Sequence, residues 1–238
     1  MLAWATFAPS ASASIIGHLS VANCSGGGIS VTLTAIDWLP ENSGSPEPPA
    51  CLQVSAATNL SSNVSALETM GPSFAGTGVI KDVPGGETGF MTFTGGSLLT
   101  GPLAFDLMTL GPGVNPPLSC MIVMTPGQSC SISTTSQFIL TATATGTSVT
   151  LLAAGTVKDL SGGGTSPISF WNGAFTSQIN GKTPMDIQNI FLAPGGAGSI
   201  TSSFSGEFDV TNVPEPVSMA LIGGGLIALA TIKRRKLA

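Results

Sequence analysis

Apolar and polar residues alternate over short runs along most of the chain, the period-two signature of strands with one buried face. Ile29, Val31, Leu33 and Ala35 alternate with Ser30, Thr32 and Thr34. Phe138, Leu140, Ala142 and Ala144 alternate with Ile139, Thr141 and Thr143, and Thr145-Gly146-Thr147 then reads as a tight hairpin turn into Val149, Leu151 and Ala153. Near the end, Ile200, Phe204, Phe208 and Val210 fall on one face, with Thr201, Ser203, Ser205, Glu207, Asp209 and Thr211 on the other. Gly26-Gly27-Gly28, Pro84-Gly85-Gly86, Gly162-Gly163-Gly164 and Gly195-Gly196 punctuate these runs. Many short strands joined by Gly-rich turns predict an all-β fold: an antiparallel β-sandwich or jelly-roll-like body over residues 14–212.

One short helix is predicted. Thr183 suits an N-cap, Pro184 the first turn and Asp186 the N3 position, with Ile187, Ile190 and Phe191 at helical spacing. It is expected to plug one end of the sandwich, and Gly195-Gly196 to end it. Residues 40–75, where Pro40, Pro46, Pro48 and Pro49 surround Cys51, read as an extended loop pinned by a disulfide. The stretch Gly78–Val83 is echoed by Gly155–Leu160, a weak hint of two equivalent half-sandwiches.

The two ends differ from the body. Ala11-Ser12-Ala13 is an A-x-A cleavage pattern behind a short apolar stretch, so residues 1–13 read as the remnant of a signal peptide. The missing basic n-region places the expected start codon upstream; an apolar first strand is the alternative. Residues 217–232 carry no charge and end on Lys233, Arg234, Arg235 and Lys236. As a helix they would extend about 24 Å. A transmembrane span with a cationic stop is therefore predicted, its basic tail 233–238 cytoplasmic and the body across the membrane.

Composition sharpens this. Charged residues make up 8% of the chain, there is no tyrosine, and formal net charge is −5. Four of the seven basic residues form the terminal cluster, so residues 1–232 carry a net charge of −9. Such a body offers nothing to a phosphate backbone, and nucleic-acid binding is excluded.

Cys24, Cys51, Cys120 and Cys130 are an even set in an exported chain and predict two disulfides. Of three connectivities, the sequence-local pairs Cys24–Cys51 and Cys120–Cys130 are favoured. A zinc site lacks C-x-x-C spacing and has only His18 to draw on. No metal or cofactor is expected.

Catalytic candidates are few. A Ser–His–Asp triad would have to be built on His18, which reads as structural or exposed, and no G-x-S-x-G elbow occurs. Asp82/Glu87 and Glu207/Asp209 are the candidate carboxylate pairs, the second lying on a polar strand face. Trp171, within Ser169-Phe170-Trp171-Asn172-Gly173, invites a sugar-binding reading, against a core or hairpin-end aromatic. Asn23, Asn59 and Asn63 head N-x-S patterns. No catalytic residue is expected.

Before the uncharged run stands Val213-Pro214-Glu215-Pro216, held extended by its two prolines. Pro214-Glu215-Pro216, then the apolar segment, then the basic cluster resembles the PEP-CTERM sorting signal. The resemblance covers residues 213–238 alone. It implies export from a Gram-negative bacterium that makes exopolysaccharide, and processing near the motif by the membrane enzyme exosortase. It implies a destination, not an activity. The expectation is a non-enzymatic surface or matrix protein, inner-membrane anchored with its body periplasmic until processing, in contact with polysaccharide. The alternative is a carbohydrate-binding module with a groove at Trp171.

Overall fold

A computed structural model describes residues 15–39, 50–58, 78–85, 87–93, 103–114, 119–121, 123–160, 168–193 and 198–212. Numbered in chain order, eight of its strands form one continuous antiparallel wall. They are β1 (Gly17–Asn23), β4 (Ala50–Thr58), β5 (Gly78–Ile80), β6 (Met91–Phe93), β7 (Leu103–Leu110), β10 (Gly146–Asp159), β11 (Ser169–Asn180) and β13 (Ser205–Asn212). The wall closes because β13 pairs with β1, placing Phe208 opposite Leu19, while β10 pairs with both β7 and β11. An even number of strands lets every neighbour stay antiparallel around the ring.

This corrects the sandwich or jelly-roll expectation: the body is an eight-stranded barrel closed on itself, not two sheets packed face to face. The physical reason lies in pairing between strands far apart in the chain. Inward–outward alternation is the same in a sandwich and a barrel, and only closure separates them. The fold also contains a single helix of eight residues among the described residues, and none there is long and apolar enough to cross a membrane. The predicted span 217–232, the leader 1–13, Pro214, Glu215, Pro216 and the cluster Lys233, Arg234, Arg235, Lys236 all lie outside the described residues.

β10 and β11 are longer than their barrel partners. Val149 and its neighbours carry β9 (Phe138–Ala142), which in turn carries β8 (Ser129–Cys130). Beside the projecting end of β11 stands a small sheet of β12 (Ile200–Ser202), β2 (Gly28–Val31) and β3 (Ile36–Leu39). The hydroxyl of Ser177 donates to that of Ser202 at 2.7 Å and ties the two. Trp38 of β3 packs on Phe175 of β11 at 4.7 Å between ring centroids, so the small sheet lies over that mouth of the barrel.

The helix α1 (Pro184–Phe191) follows the expected capping box: Thr183 Oγ1 accepts from the Asp186 backbone N–H, and the Asp186 carboxylate accepts from Thr183. Ile187 and Phe191 are buried, and Phe191 stacks on Phe138 of β9. The helix ends at Phe191 with Leu192 as its C-cap, before the Gly195-Gly196 expected to stop it. The Thr183 hydroxyl, and then its backbone N–H, hold the Asp186 carboxyl below the usual carboxylate range. A depressed pKa contributes stability that is full above the unfolded-state value and is lost as pH falls through the folded one. Asp186→Asn is therefore expected to lower the thermal midpoint at neutral pH, with the gap to the parent closing on acidification. A gap independent of pH would rule out the charged cap.

Two runs that looked continuous are split. Thr32 Oγ1 accepts the Ala35 N–H at 3.0 Å and the Thr32 N–H reaches the Ala35 carbonyl at 2.9 Å. The run 29–35 thus becomes a hairpin, and Leu33 sits at its exposed tip. The last run breaks at Ser203-Phe204, with β12 in the small sheet and β13 in the barrel, although its four apolar residues are all buried. Within the stretch 40–75 read as irregular, residues 50–58 form β4, whose Leu52 and Val54 face the core.

The barrel lumen is filled by rings. Phe93, Phe105, Trp171, Phe208, Phe175 and Trp38 follow one another at centroid distances of 5.6, 5.9, 5.4, 4.9 and 4.7 Å. Rings of this size need gaps in the wall. A Cβ on Gly155 would stand 2.9 Å from the Trp171 indole nitrogen, and one on Gly78 would meet the Phe93 ring at 2.6 Å. Both echoed segments therefore begin at a glycine where a Cβ would collide, at Gly78 with the Phe93 ring and at Gly155 first with the Asp106 carbonyl oxygen and then with the indole.

Candidate functional site

The only histidine of the chain lies on the outer wall of the barrel. The β11–β13–β1 register sets Asn172, Asp209 and His18 in one transverse row, and Ala174, Glu207 and Ser20 in the next. His18 Nδ1 lies 3.1 Å from Asp209 Oδ1, and Ser20 Oγ lies 3.3 Å from His18 Nε2. The small side chains of Ala154 and Ala174 leave this part of the wall hollow. A groove of about 470 Å³ runs there, lined by His18, Asn172, Glu207, Asp209, Leu152 and Ala154 among others.

The hydroxyl–imidazole–carboxylate order is that of an acyl-transfer relay. Its setting is not. Asp209 is 63% exposed, so its charge acts through water. β1 is flanked by β13 on one side and β4 on the other, with a register shift against β4 between Ser20 and Val21. An oxyanion site needs donors aimed at the developing charge. The arrangement is a cross-strand polar row spanning the β13–β1 seam of the barrel.

The sequence singled out His18, and Glu207 with Asp209, but not their meeting. His18 and Asp209 are 191 positions apart, and no local signal pairs the first strand with the last. Asp82 and Glu87 do not form a carboxylate pair. Asp82 Oδ1 accepts the Trp38 backbone N–H at 2.8 Å, while Glu87 accepts the Gly85 N–H, which holds its carboxyl below the usual range. Glu87 fixes a local turn, whereas Asp82 ties the segment after β5 to the middle of β3.

Trp171 is 1% exposed, as the core-aromatic reading has it, and the possible ligand contact there is corrected. Its indole N–H donates to the carbonyls of Asp106 at 3.0 Å and Thr156 at 3.1 Å. β7 bulges at Met108, because Ala154 pairs with Thr109 while Gly155 pairs with Leu107, and this brings the Asp106 carbonyl over Gly155. The indole then satisfies two carbonyls inside the wall and has no face left for a sugar. The sequence could not separate these readings, because alternation places Trp171 inward only once the register of β11 is known.

Both favoured disulfides are present, Cys24–Cys51 and Cys120–Cys130, leaving no free cysteine among the described residues. Cys24 sits in the turn after β1 and Cys51 on β4, next to the Asn23–Leu52 pair. Asn23, which heads an N-x-S pattern, has both ends of its amide engaged. Its Nδ2 donates to the carbonyls of Cys24 and Gly27, and its Oδ1 accepts the Phe204 N–H at 3.0 Å. It clasps the β1–β2 turn to the link between β12 and β13. No group of three or more potential metal ligands occurs among the described residues.

Inside the cap, an apolar space of about 30 Å³ remains between Val31, Phe138, Leu151, Phe191, Ile200 and Phe204. A small-molecule pocket is roughly 300–1,000 Å³. This space, among the described residues, is far below that size. Fold and site together define a closed antiparallel barrel, filled by its own side chains, capped at one mouth and disulfide-bonded. Compared with known family models, curated proteins and solved structures, the chain finds no match.

Proposed function

We propose that this chain is an exported, non-enzymatic protein of the cell surface or extracellular matrix, held at the membrane by its C-terminal segment until a PEP-CTERM-type enzyme processes it near residues 214–216. The observation that carries this reading is the ordered signal Pro214-Glu215-Pro216, uncharged run 217–232 and basic cluster 233–236, beginning one residue after β13 ends. Two disulfides support an oxidising destination. The outer wall carries hydroxyls such as Ser20, Thr176, Ser205 and Thr211, with few charges, which suits a hydrated polysaccharide surrounding.

Replacing Pro214-Glu215-Pro216 by alanines is expected to leave the tail attached. Intact-mass spectrometry of surface-extracted protein checks this, and identical trimming in parent and variant would remove the sorting role.

The non-enzymatic part has its own test at the polar row. A fluorophosphonate probe reacts with serines activated by a neighbouring base. Ser20, on an open wall beside an exposed Asp209, is expected to stay unlabelled under conditions that label a control serine hydrolase. Peptide mapping that finds Ser20 modified, and unmodified in His18→Asn, would replace this reading with an acyl-transfer one.

A further inference from the structure

The two ends of the barrel are unlike. At one, Cys24 is bonded to Cys51, and the small sheet, β9 and α1 cover the mouth. At the other, β10 ends at Asp159, β11 begins at Ser169, β13 ends at Asn212 and β1 begins at Gly17. Ser169 pairs with Asn212 and Gly17 with Val210, so the chain enters and leaves the barrel at this second end.

That rim carries exposed apolar side chains. Ile168 and Phe170 flank Ser169 and are 52% and 46% exposed. Phe170 lies on the outer side of β11, and Ile168 immediately precedes the strand. Leu160, 38% exposed, directly follows the end of β10, the strand paired with β11 at this same end. In water, three neighbouring apolar side chains at a rim gain nothing. Against hydrocarbon each could bury area worth roughly 25 cal/mol per Å².

We propose that this rim rests on the lipid surface, with Leu160, Ile168 and Phe170 dipping among the headgroups and the disulfide-bonded, helix-capped end pointing away. The proposal rests on the reading above that residues 217–232 hold the chain at the membrane. Its geometric basis is reach. Four residues, 213–216, separate Asn212 from the uncharged run, and fully extended they span at most about 14 Å. Wherever that run enters lipid, this end of the barrel is tethered close to the same surface, and the opposite mouth is not.

The test uses the full chain with Trp4 changed to Phe, reconstituted in phosphatidylethanolamine–phosphatidylglycerol vesicles whose acyl chains carry bromine, a contact quencher of indole. Phe170→Trp places a reporter on the rim. Gln178→Trp places one on the same strand about 26 Å away, at roughly 3.3 Å per residue, on the exposed far end. Flotation of the vesicles reports binding independently of orientation. The expected result is co-flotation of both variants, with the added emission largely lost from Phe170→Trp and retained in Gln178→Trp. Co-flotation with equal quenching of both reporters, or of neither, overturns the orientation and leaves the membrane-held reading standing. Failure to float overturns both. Ile168→Trp repeats the rim measurement at a second site and guards against a local defect at Phe170.

Discussion

Replacing Trp171 by alanine is expected to lower the unfolding free energy by about 3–5 kcal/mol, the range for removing a buried aromatic side chain. The residue stands in the middle of the ring column, edge-on to Phe105 and Phe208 and parallel to Phe90. Its removal opens a cavity that Gly155, already pressed against the indole, cannot fill. Trp171→Phe separates packing from hydrogen bonding. The ring is largely kept, but the Asp106 and Thr156 carbonyls lose their shared donor. That variant should lose about 1–3 kcal/mol. Urea denaturation of parent and variants checks both values. A Trp171→Ala cost near about 0.5 kcal/mol, ordinary for exposed positions, would return Trp171 to the surface and revive the sugar-binding reading.

Removal of Cys24–Cys51 by paired serine substitutions is the second large effect. Its cysteines are 27 positions apart, against 10 for Cys120–Cys130. Chain-entropy reasoning gives about 3.6 kcal/mol for the longer loop and about 2.7 kcal/mol for the shorter. The first bond also encloses β2 and β3 and fixes them to β4, so its loss should loosen the cap over the barrel mouth. Hydrogen exchange should then rise first in residues 28–39. Denaturation midpoints that fall more for the Cys120/Cys130 pair would contradict this account.

Much of the local structure is legible in the sequence because it is local. The capping box of Thr183 and Asp186 needs only the residues that form it, and the cysteine pairs are near in sequence. The buried faces of β9 and β13 follow from alternation alone. Closure of the barrel is not legible. It depends on β1 meeting β13 and β7 meeting β10, and both sandwich and barrel would keep the same alternation. The same non-locality hid the polar row: His18 and Ser20 arrive on the first strand, Glu207 and Asp209 on the last. The hairpin at Thr32–Ala35 was hidden for a different reason. A threonine in an alternating run also caps a turn through its own hydroxyl, and the pattern does not distinguish the two roles.

The most direct measurement of the central claim is the intact mass of the protein recovered from the cell surface or medium, before and after thiol alkylation under native conditions. The account predicts a species that has lost the residues beyond the 214–216 motif and takes up no alkylating agent. A full-length chain with four reactive thiols, recovered from the soluble cytosol, would contradict it.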